Sequence, residues 1–541
     1  MKNRCLVCLT LIFCLVFPVF GAFIPVKSIE EDYADYLVLI GALERPTMGY
    51  RTLSDNVYTI LDPSKSIWTA KEDSPWQFYG PDFFTSYNSA YPYGQNDGAL
   101  WQGKGFNAQL KGGASYHQYG LTVVLKPELD FSQNLAFDLM KSANSYSSYA
   151  YYWSNLDLPQ RFGDKPFFTF DWGDSEVRYS YKTLTIGAGT QALWIGPAYL
   201  NSIIHSNNAP TYPKIDFGFR KTKCVLPWLG WDIGYMELRF WTGFLGYSDY
   251  YKDGYSDKRF MISGMAFSYA PSFVDGLTFC FDTTFTDTLE WASVPNMLPF
   301  IPQLDGNKTE DGEMVLSADW LFPKVGFEVY GEIGVDDYVC GNWFTGSLRY
   351  PFHTMVYNVG MKKSIGKGSF HGELIFEWSN MEMSQDSQTQ WAYMFYSHGE
   401  YSHTNKGQLL GAGSGYSGSS QYLALKAFHP KGVCTLFIQR ENPDNDYIYA
   451  QMVGQGATTV ENQGTSSTEY QYFSSFKANF VIGLESSYFV GNHCIVTGGV
   501  VYDLVINARY KQDGNGTVTL DEGVNTYLHN LRVEMGFAYK F

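Results

Sequence analysis

Leu531-Arg532-Val533-Glu534-Met535-Gly536-Phe537-Ala538-Tyr539-Lys540-Phe541 closes the chain, and its spacing decides the fold. Leu531, Val533, Met535, Phe537, Tyr539 and Phe541 fall on one side of an extended strand; Arg532, Glu534, Gly536, Ala538 and Lys540 fall on the other. Successive side chains of a β-strand point to opposite faces, so this segment has one apolar, aromatic face and one polar face. A strand that crosses a bilayer needs this pattern, because lipid meets one face and the lumen the other while every backbone group pairs with a neighbouring strand. The terminal aromatic is also a feature of chains delivered to the barrel-assembly machinery.

The pattern recurs upstream. Phe476, Ala478, Phe480, Ile482, Leu484 and Tyr488 oppose Lys477, Asn479 and Glu485, while Phe106, Ala108, Leu110 and Ala114 oppose Asn107, Gln109, Lys111 and Ser115. Leu121, Val123, Leu125, Leu129 and Phe131 oppose Thr122, Lys126, Glu128 and Asp130. Sixteen such segments run from Gly105 to Phe541. From Pro271 onward their connections alternate in length: tight links at 271–275, 322–324, 365–368, 429–432 and 489–492 interleave with long ones near 287–311, 335–353, 379–419, 441–471 and 507–528. Outer-membrane barrels alternate short periplasmic turns with long external loops. To keep the alternation between 117 and 213, a further strand is required near Phe167–Asp171, turning at Gly173–Ser175, and another before Gly105 within Trp76–Phe84. The expectation is an all-β transmembrane antiparallel barrel of about eighteen strands, even-numbered, with both chain ends periplasmic.

Lys2 and Arg4, the apolar run Leu6 to Phe17 and Val19-Phe20-Gly21 read as a secretory leader over residues 1–21. Cys14 lacks the small residues that a lipid-attachment cysteine requires before it. Beyond the leader no apolar run reaches the roughly 18 residues of a spanning helix. Losing Lys2 and Arg4 takes the net charge from −16 to −18, which argues against nucleic acid as a partner. Cys224, Cys280, Cys340, Cys434 and Cys494 remain, odd in number and widely spaced, with no CxxC pair, so neither a disulfide framework nor a metal site is indicated.

Residues 22–74 precede the barrel assigned to 75–541 and are read as a periplasmic helical segment. Ser28-Ile29-Glu30-Glu31 forms a capping box, and Tyr33, Tyr36, Leu37 and Ile40 follow at helical spacing until Gly41 and Pro46. A second short helix is expected over Ser54–Leu61.

One stretch breaks the two-residue period: Gln191-Ala-Leu-Trp-Ile-Gly-Pro-Ala-Tyr-Leu-Asn-Ser-Ile-Ile-His-Ser-Asn-Asn-Ala-Pro-Thr-Tyr-Pro213. Parity puts it outside or folded into the lumen. Its amides offer paired donors and acceptors, and its aromatic faces suit sugar rings; from the residues alone, the preferred reading is instead a plug or loop whose Asn207 and Asn208 satisfy their own turn. Catalytic readings are weaker. His371, Glu373 and Glu377 share the inward face of a strand, where lumenal polarity explains them, and His398, Glu400 and His403 lie in a loop without the helix that makes metal-binding histidines converge. Asp513 to Glu522 resembles a calcium loop but has Val518 where the sharp turn needs glycine. No enzyme activity, cofactor or metal is expected.

Trp194-Ile-Gly-Pro, Asn201-Ser-Ile-Ile-His-Ser-Asn-Asn-Ala-Pro and Pro213 resemble the signature of the Wzi-type capsule-assembly outer-membrane proteins. Glu44-Arg-Pro-Thr-Met-Gly-Tyr-Arg-Thr-Leu-Ser and His403-Thr-Asn-Lys-Gly-Gln-Leu-Leu-Gly-Ala-Gly agree with it. Departures are Ile195, where Gly is expected directly after the Trp, and Gln-Leu-Leu-Gly where Pro-Leu-Gly is usual. The resemblance implies an eighteen-stranded barrel with an N-terminal helical bundle that acts as a lectin for capsular or other exported polysaccharide at the bacterial outer membrane. Trp194, Asn201, His205, Asn207, Asn208 and Arg220 are then the candidate polysaccharide-binding residues. The other readings are a porin or solute diffusion channel and a surface antigen or adhesin.

Overall fold

In the computed structural model the described residues are 23–68, 74–141, 146–153, 156–226, 229–252, 254–255, 257–290, 311–336, 355–367, 370–382, 395–398, 401–415, 417–443, 445–448, 477–491, 493–507 and 527–540. The leader and the Asp513–Glu522 loop lie outside them.

Antiparallel strands close into a single barrel. The first five are β1 (Trp76–Asn88), β2 (Gly105–Gln118), β3 (Leu121–Leu125 continued by Glu128–Ser132), β4 (Phe167–Asp171 continued by Glu176–Tyr181) and β5 (Leu184–Gly189). Next come β6 (Lys214–Val225), β7 (Asp232–Leu245), β8 (Phe260–Pro271), β9 (Leu277–Thr288), β10 (Asp311–Phe322), β11 (Phe327–Asp336), β12 (Met355–Lys367) and β13 (Phe370–Asn380). The last are β14 (Ser419–His429), β15 (Gly432–Asn442), β16 (Ala478–Val490), β17 (Cys494–Ile506) and β18 (Tyr527–Lys540), which pairs with β1 to close the ring at eighteen strands.

The two strands added by parity are present, one with a correction. Phe167–Asp171 does not turn at Gly173–Ser175; it continues into Glu176–Tyr181 along the same neighbour, β3, and the reversal comes at Lys182–Thr183. The pause mimics a turn because the Gly173 N–H folds back onto the Asp171 carboxylate at 2.7 Å and the Ser175 N–H onto the Gly173 carbonyl at 2.8 Å. Opposite it, Pro127 interrupts β3, since proline has no N–H for the ladder.

Alternation in the sequence becomes inside and outside. On β18, Leu531, Val533, Met535 and Phe537 are exposed on the outer wall while Arg532 is buried in the lumen. Trp76, Tyr119, Tyr181, Trp231 and Phe273 stand exposed at or beside the short turns, an aromatic belt of the kind found at a membrane interface. No described helix is long and apolar enough to cross a membrane.

The N-terminal segment, expected ahead of the barrel on its periplasmic side, is folded into the lumen at the short-turn end. Its helix α1 (Ile29–Leu39) starts at Ser28, whose side chain accepts the Glu31 N–H at 3.2 Å. Tyr33, Tyr36, Leu37 and Val38 pack on Phe428 and Val433 of the wall, and the Tyr36 hydroxyl meets His371 Nδ1 at 3.2 Å. Arg45 reaches Glu328 at 2.6 Å and Asp319 at 3.0 Å. The helix expected over Ser54–Leu61 is instead one 3-10 turn, Leu53–Asp55, followed by a short strand, Thr59–Ile60, paired with Leu43–Glu44. Asp55 is bound to wall arginines, and those long-range ion pairs outweigh the weak helical preference of so short a piece.

Candidate functional site

Residues 190–213 also fold inward, from the opposite end, and wall carboxylates hold them there. Glu377 accepts the N–H groups of Tyr199 at 2.7 Å, Leu200 at 3.0 Å and Asn201 at 2.8 Å, and the Tyr330 hydroxyl at 2.7 Å. Glu332 accepts the N–H groups of Ala198 at 3.3 Å and Ile203 at 3.0 Å. Backbone N–H groups are obligatory donors and a buried one without a partner is costly. Two inward-facing carboxylates therefore fix this irregular loop without any helix or long strand. Gly196, at φ +89°, runs so close to Glu332 that a Cβ would sit 2.3 Å from its oxygen.

The loop then meets the N-terminal segment. Trp194 and Ile195 pair antiparallel with Arg51 and Tyr50. The Trp194 ring lies between Lys27 Nζ, 4.7 Å from its centroid, and the Arg51 guanidinium at 5.4 Å, and its indole N–H donates to the Ala198 carbonyl at 3.1 Å. Lys27 also donates to the Tyr199 carbonyl, and burial pulls its ammonium down to about 8 despite Asp32 nearby. Tyr396 and His403 brace the other flank: the Tyr396 hydroxyl donates to the Ile203 carbonyl at 2.6 Å, and His403 stands 2.7 Å from the Ile204 carbonyl and 3.2 Å from Glu313. Burial opposes a charge on His403, but the Glu313 carboxylate overrides it and raises the imidazole above its ordinary value.

Five of the six candidate residues lie on this loop, three of them buried. Trp194 is 0 % exposed, and Asn201 and His205 are also buried, so none of the three offers a face to a polymer. Asn201 donates to Ser379 Oγ at 3.0 Å and accepts from Gln95 at 3.2 Å; His205 bridges the Tyr212 hydroxyl and the Ser206 carbonyl, each at 3.0 Å. Asn207 and Asn208 are half-buried and engaged with Asn96, Asn208 Oδ1 accepting the Asn96 N–H at 2.7 Å. Arg220 lies beyond this loop, on β6, paired with Asp55 at 2.7 Å. That pair belongs to a buried chain in which Arg239 holds Asp55 at 2.5 Å and Asp216 at 2.9 Å while Arg178 holds Asp216 at 2.6 Å. Burial alone would raise Asp55, but the Arg239, Arg220 and Arg178 guanidiniums hold its carboxyl well below the usual range.

An aromatic ridge on the external loops went unnoticed in the sequence. Trp101 and Phe162 stack edge-on at 4.9 Å, Phe162 and Tyr250 at 6.1 Å, and Tyr250 and Tyr149 at 5.5 Å, all half-exposed, with Tyr146 exposed beside them. They come from the β1–β2, β3–β4 and β7–β8 loops. Asp157 ties two of these loops together by accepting the Ser248 N–H at 2.8 Å and hydroxyl at 2.5 Å, and burial lifts its carboxyl to about 6. Rings separated by such distances in sequence show no periodicity that would flag them. Among the described residues no group of three or more potential ligands could hold a metal ion.

With this geometry in view, the chain was set against known proteins. Its fold is similar to that of Wzi, an outer-membrane protein involved in group 1 capsule assembly in Escherichia coli and described as a carbohydrate-binding β-barrel: TM-score 0.54, 13% identity, 85% of each chain covered. The chain is an outer-membrane β-barrel. Pseudomonas putida OprB matches at TM-score 0.35 and 10% identity over 86% of this chain and 94% of its own, and Acinetobacter baumannii OccAB2 at 0.40 and 8% over 86% and 98%; scores at this level carry no argument. No family model matches the sequence, and no curated protein matches it. The likeness to Wzi is one of architecture, an outer-membrane barrel.

Proposed function

We propose that this barrel is a surface lectin that holds capsular or other exported polysaccharide at the outer membrane without catalysing a reaction. The observation that carries this reading is the occupied lumen. The N-terminal segment enters from the short-turn end, residues 190–213 enter from the other, and the two share a two-stranded sheet in the middle. A diffusion channel has no use for a polar network that spans its bore, whereas a rigid plug gives external loops a fixed base.

The sugar-facing surface is then the ridge of Trp101, Phe162, Tyr250, Tyr149 and Tyr146 rather than the buried motif around Trp194. Half-exposed rings at fixed spacing present apolar faces to pyranose rings, and affinity comes from many weak contacts along a repeating chain. Planar-bilayer recording of the purified barrel together with retention on immobilised polysaccharide tests the reading. Electrical silence with retention supports it; a large steady current without retention assigns the chain to the solute channels instead.

A further inference from the structure

At one height in the wall the ladder is interrupted across five neighbouring strands, and three of the four pairings there step by one residue. Between β18 and β1 it jumps from Ala538↔Asp82 to Lys540↔Tyr79, and between β1 and β2 from Asp82↔Lys111 to Tyr79↔Gly113. Between β2 and β3 the register is kept, but the ladder is interrupted between Lys111↔Glu128 and Ala114↔Leu125. Between β3 and β4 the pairing again steps by one residue, over the longest interruption, from Glu128↔Asp171 to Val124↔Glu176, with residues 125–127 facing 172–175. Pro81 and Pro127 have no donor for the ladder, and Gly173 has a left-handed φ of +54°. A line of bulges at matched positions is a built feature rather than a scattered defect.

Its height matters. The step lies about five residues from the short-turn ends, which at about 3.3 Å per residue places it inside the apolar band of roughly 25 Å. Lipid cannot satisfy backbone groups, and here side chains do so: the Lys126 N–H donates to Ser175 Oγ at 2.9 Å, and Thr190 Oγ1 donates to the Gly173 carbonyl at 2.9 Å. Such local bonds can part without unzipping a strand. On the lipid side the step is flanked by exposed Leu125, Phe170 and Trp172, the last 56 % exposed.

On the lumenal side a cavity of about 1530 Å³ lies directly behind it, lined there by Lys111, Lys126, Gly173 and Asp174. Two ion pairs bracket the inner edge, Lys126–Asp174 at 2.9 Å and Lys111–Glu128 at 3.2 Å. The cavity extends to the short turns at Lys431 and Gly491, so it opens toward the periplasm, and its far end carries Tyr93, Gln95, Asn96 and Asn207. Gln95 donates to Asn201, Asn96 to the Leu200 carbonyl and Asn207 to the Asn96 carbonyl, which fixes these amides in place, and phenols and amide oxygens recognise hydroxyl-rich neutral groups.

We propose that the step between β3 and β4 is a lateral portal between this cavity and the membrane, used by a glycolipid whose sugar head group rests among Tyr93, Gln95, Asn96 and Asn207 while its acyl chain passes between the strands into the lipid. The portal is independent of whether the external ridge binds a polymer.

The test uses the full mature chain reconstituted in phosphatidylcholine vesicles containing a glucosyl diacylglycerol with a photoreactive diazirine on the sugar. Two cysteine pairs at lipid-facing partners, Val123→Cys with Val177→Cys and Leu129→Cys with Phe170→Cys, staple the step from both sides. Cross-strand partners lie about 4.5–5.5 Å apart at Cα, within disulfide reach. The expected result is cross-linking to the peptides holding Gln95–Asn96 and Asn207 in the unstapled chain, its loss on oxidation of the variant, and its return on reduction. The reduced variant reports on folding, and each single-pair variant provides the same comparison. Cross-links confined to the outer wall, or lumenal cross-links that persist after oxidation, overturn the proposal.

Discussion

Trp194 and Arg51 are antiparallel backbone partners inside the barrel, and the Arg51 guanidinium also covers the Trp194 ring. Through this pair the N-terminal segment and the loop from the opposite end become one plug. Either piece alone would leave edge backbone groups facing an open lumen, so the two are expected to form or loosen together.

Trp194→Ala should therefore act on stability. Removing a fully buried Trp costs about 3–5 kcal/mol, and the loss here falls on both halves of the plug. We expect a lower midpoint in thermal unfolding followed in detergent, with retention on immobilised polysaccharide unchanged per folded molecule. Selective loss of retention at an unaltered midpoint would return Trp194 to the binding site.

Glu377→Leu removes the acceptor for three backbone N–H groups and one hydroxyl. Each buried donor left unpaired costs about 1–3 kcal/mol, more than one loop of irregular structure can absorb. The plug should come away from the wall intermittently, seen as bursts of ionic current through single barrels that are silent in the unsubstituted protein. A silent variant of normal stability would show that the clamp is dispensable.

The plug should also be sensitive to acid through His205. Burial, with the positive charges of Lys214 and His403, holds this imidazole down at about 3, whereas in the unfolded chain it titrates near the ordinary value of about 6.5. The folded state then binds fewer protons between these values, so the contribution is complete above about 6.5 and is lost as the pH falls from there toward 3. Amide protection factors in residues 190–213, each taken against the intrinsic exchange rate at its own pH, should fall between pH 7 and pH 4, and His205→Gln should flatten that dependence. An equal fall in both proteins would assign the sensitivity to other groups.

The barrel was legible because a two-residue period in a bilayer allows almost no other structure. Leu531, Val533, Met535 and Phe537 face lipid as their spacing required. Local signals served less well where distant partners decide. Ser28 does cap its helix, yet nothing between 54 and 61 foretold that Asp55 would be drawn to Arg239 and Arg220 instead of starting another. Gly173 and Ser175 have turn chemistry, and they turn the backbone without reversing the strand. The motif around Trp194 is conspicuous for its composition, and the structure folds it inward: amides and aromatics that bond one another inside the barrel look, in sequence, the same as ones awaiting a sugar.

The external ridge supplies the remaining prediction. Tyr149 and Tyr250 meet at 5.5 Å, each half-exposed, and neither is in a core cluster, so their loss should leave the barrel standing. Truncating an aromatic that contacts a ligand typically costs more than about 1 kcal/mol, and a polymer that touches the ridge repeatedly multiplies the effect through its linked contacts. Tyr149→Ala with Tyr250→Ala is expected to release immobilised polysaccharide at markedly lower competitor concentration than the unsubstituted protein while the thermal midpoint stays within about 1 kcal/mol of stability, as surface substitutions generally do. Substitution at the lipid-facing Phe83→Ala controls for a general aromatic loss. If the double variant is retained as firmly as the control, the polymer lies elsewhere on the outer face and the ridge serves only to pack the loops.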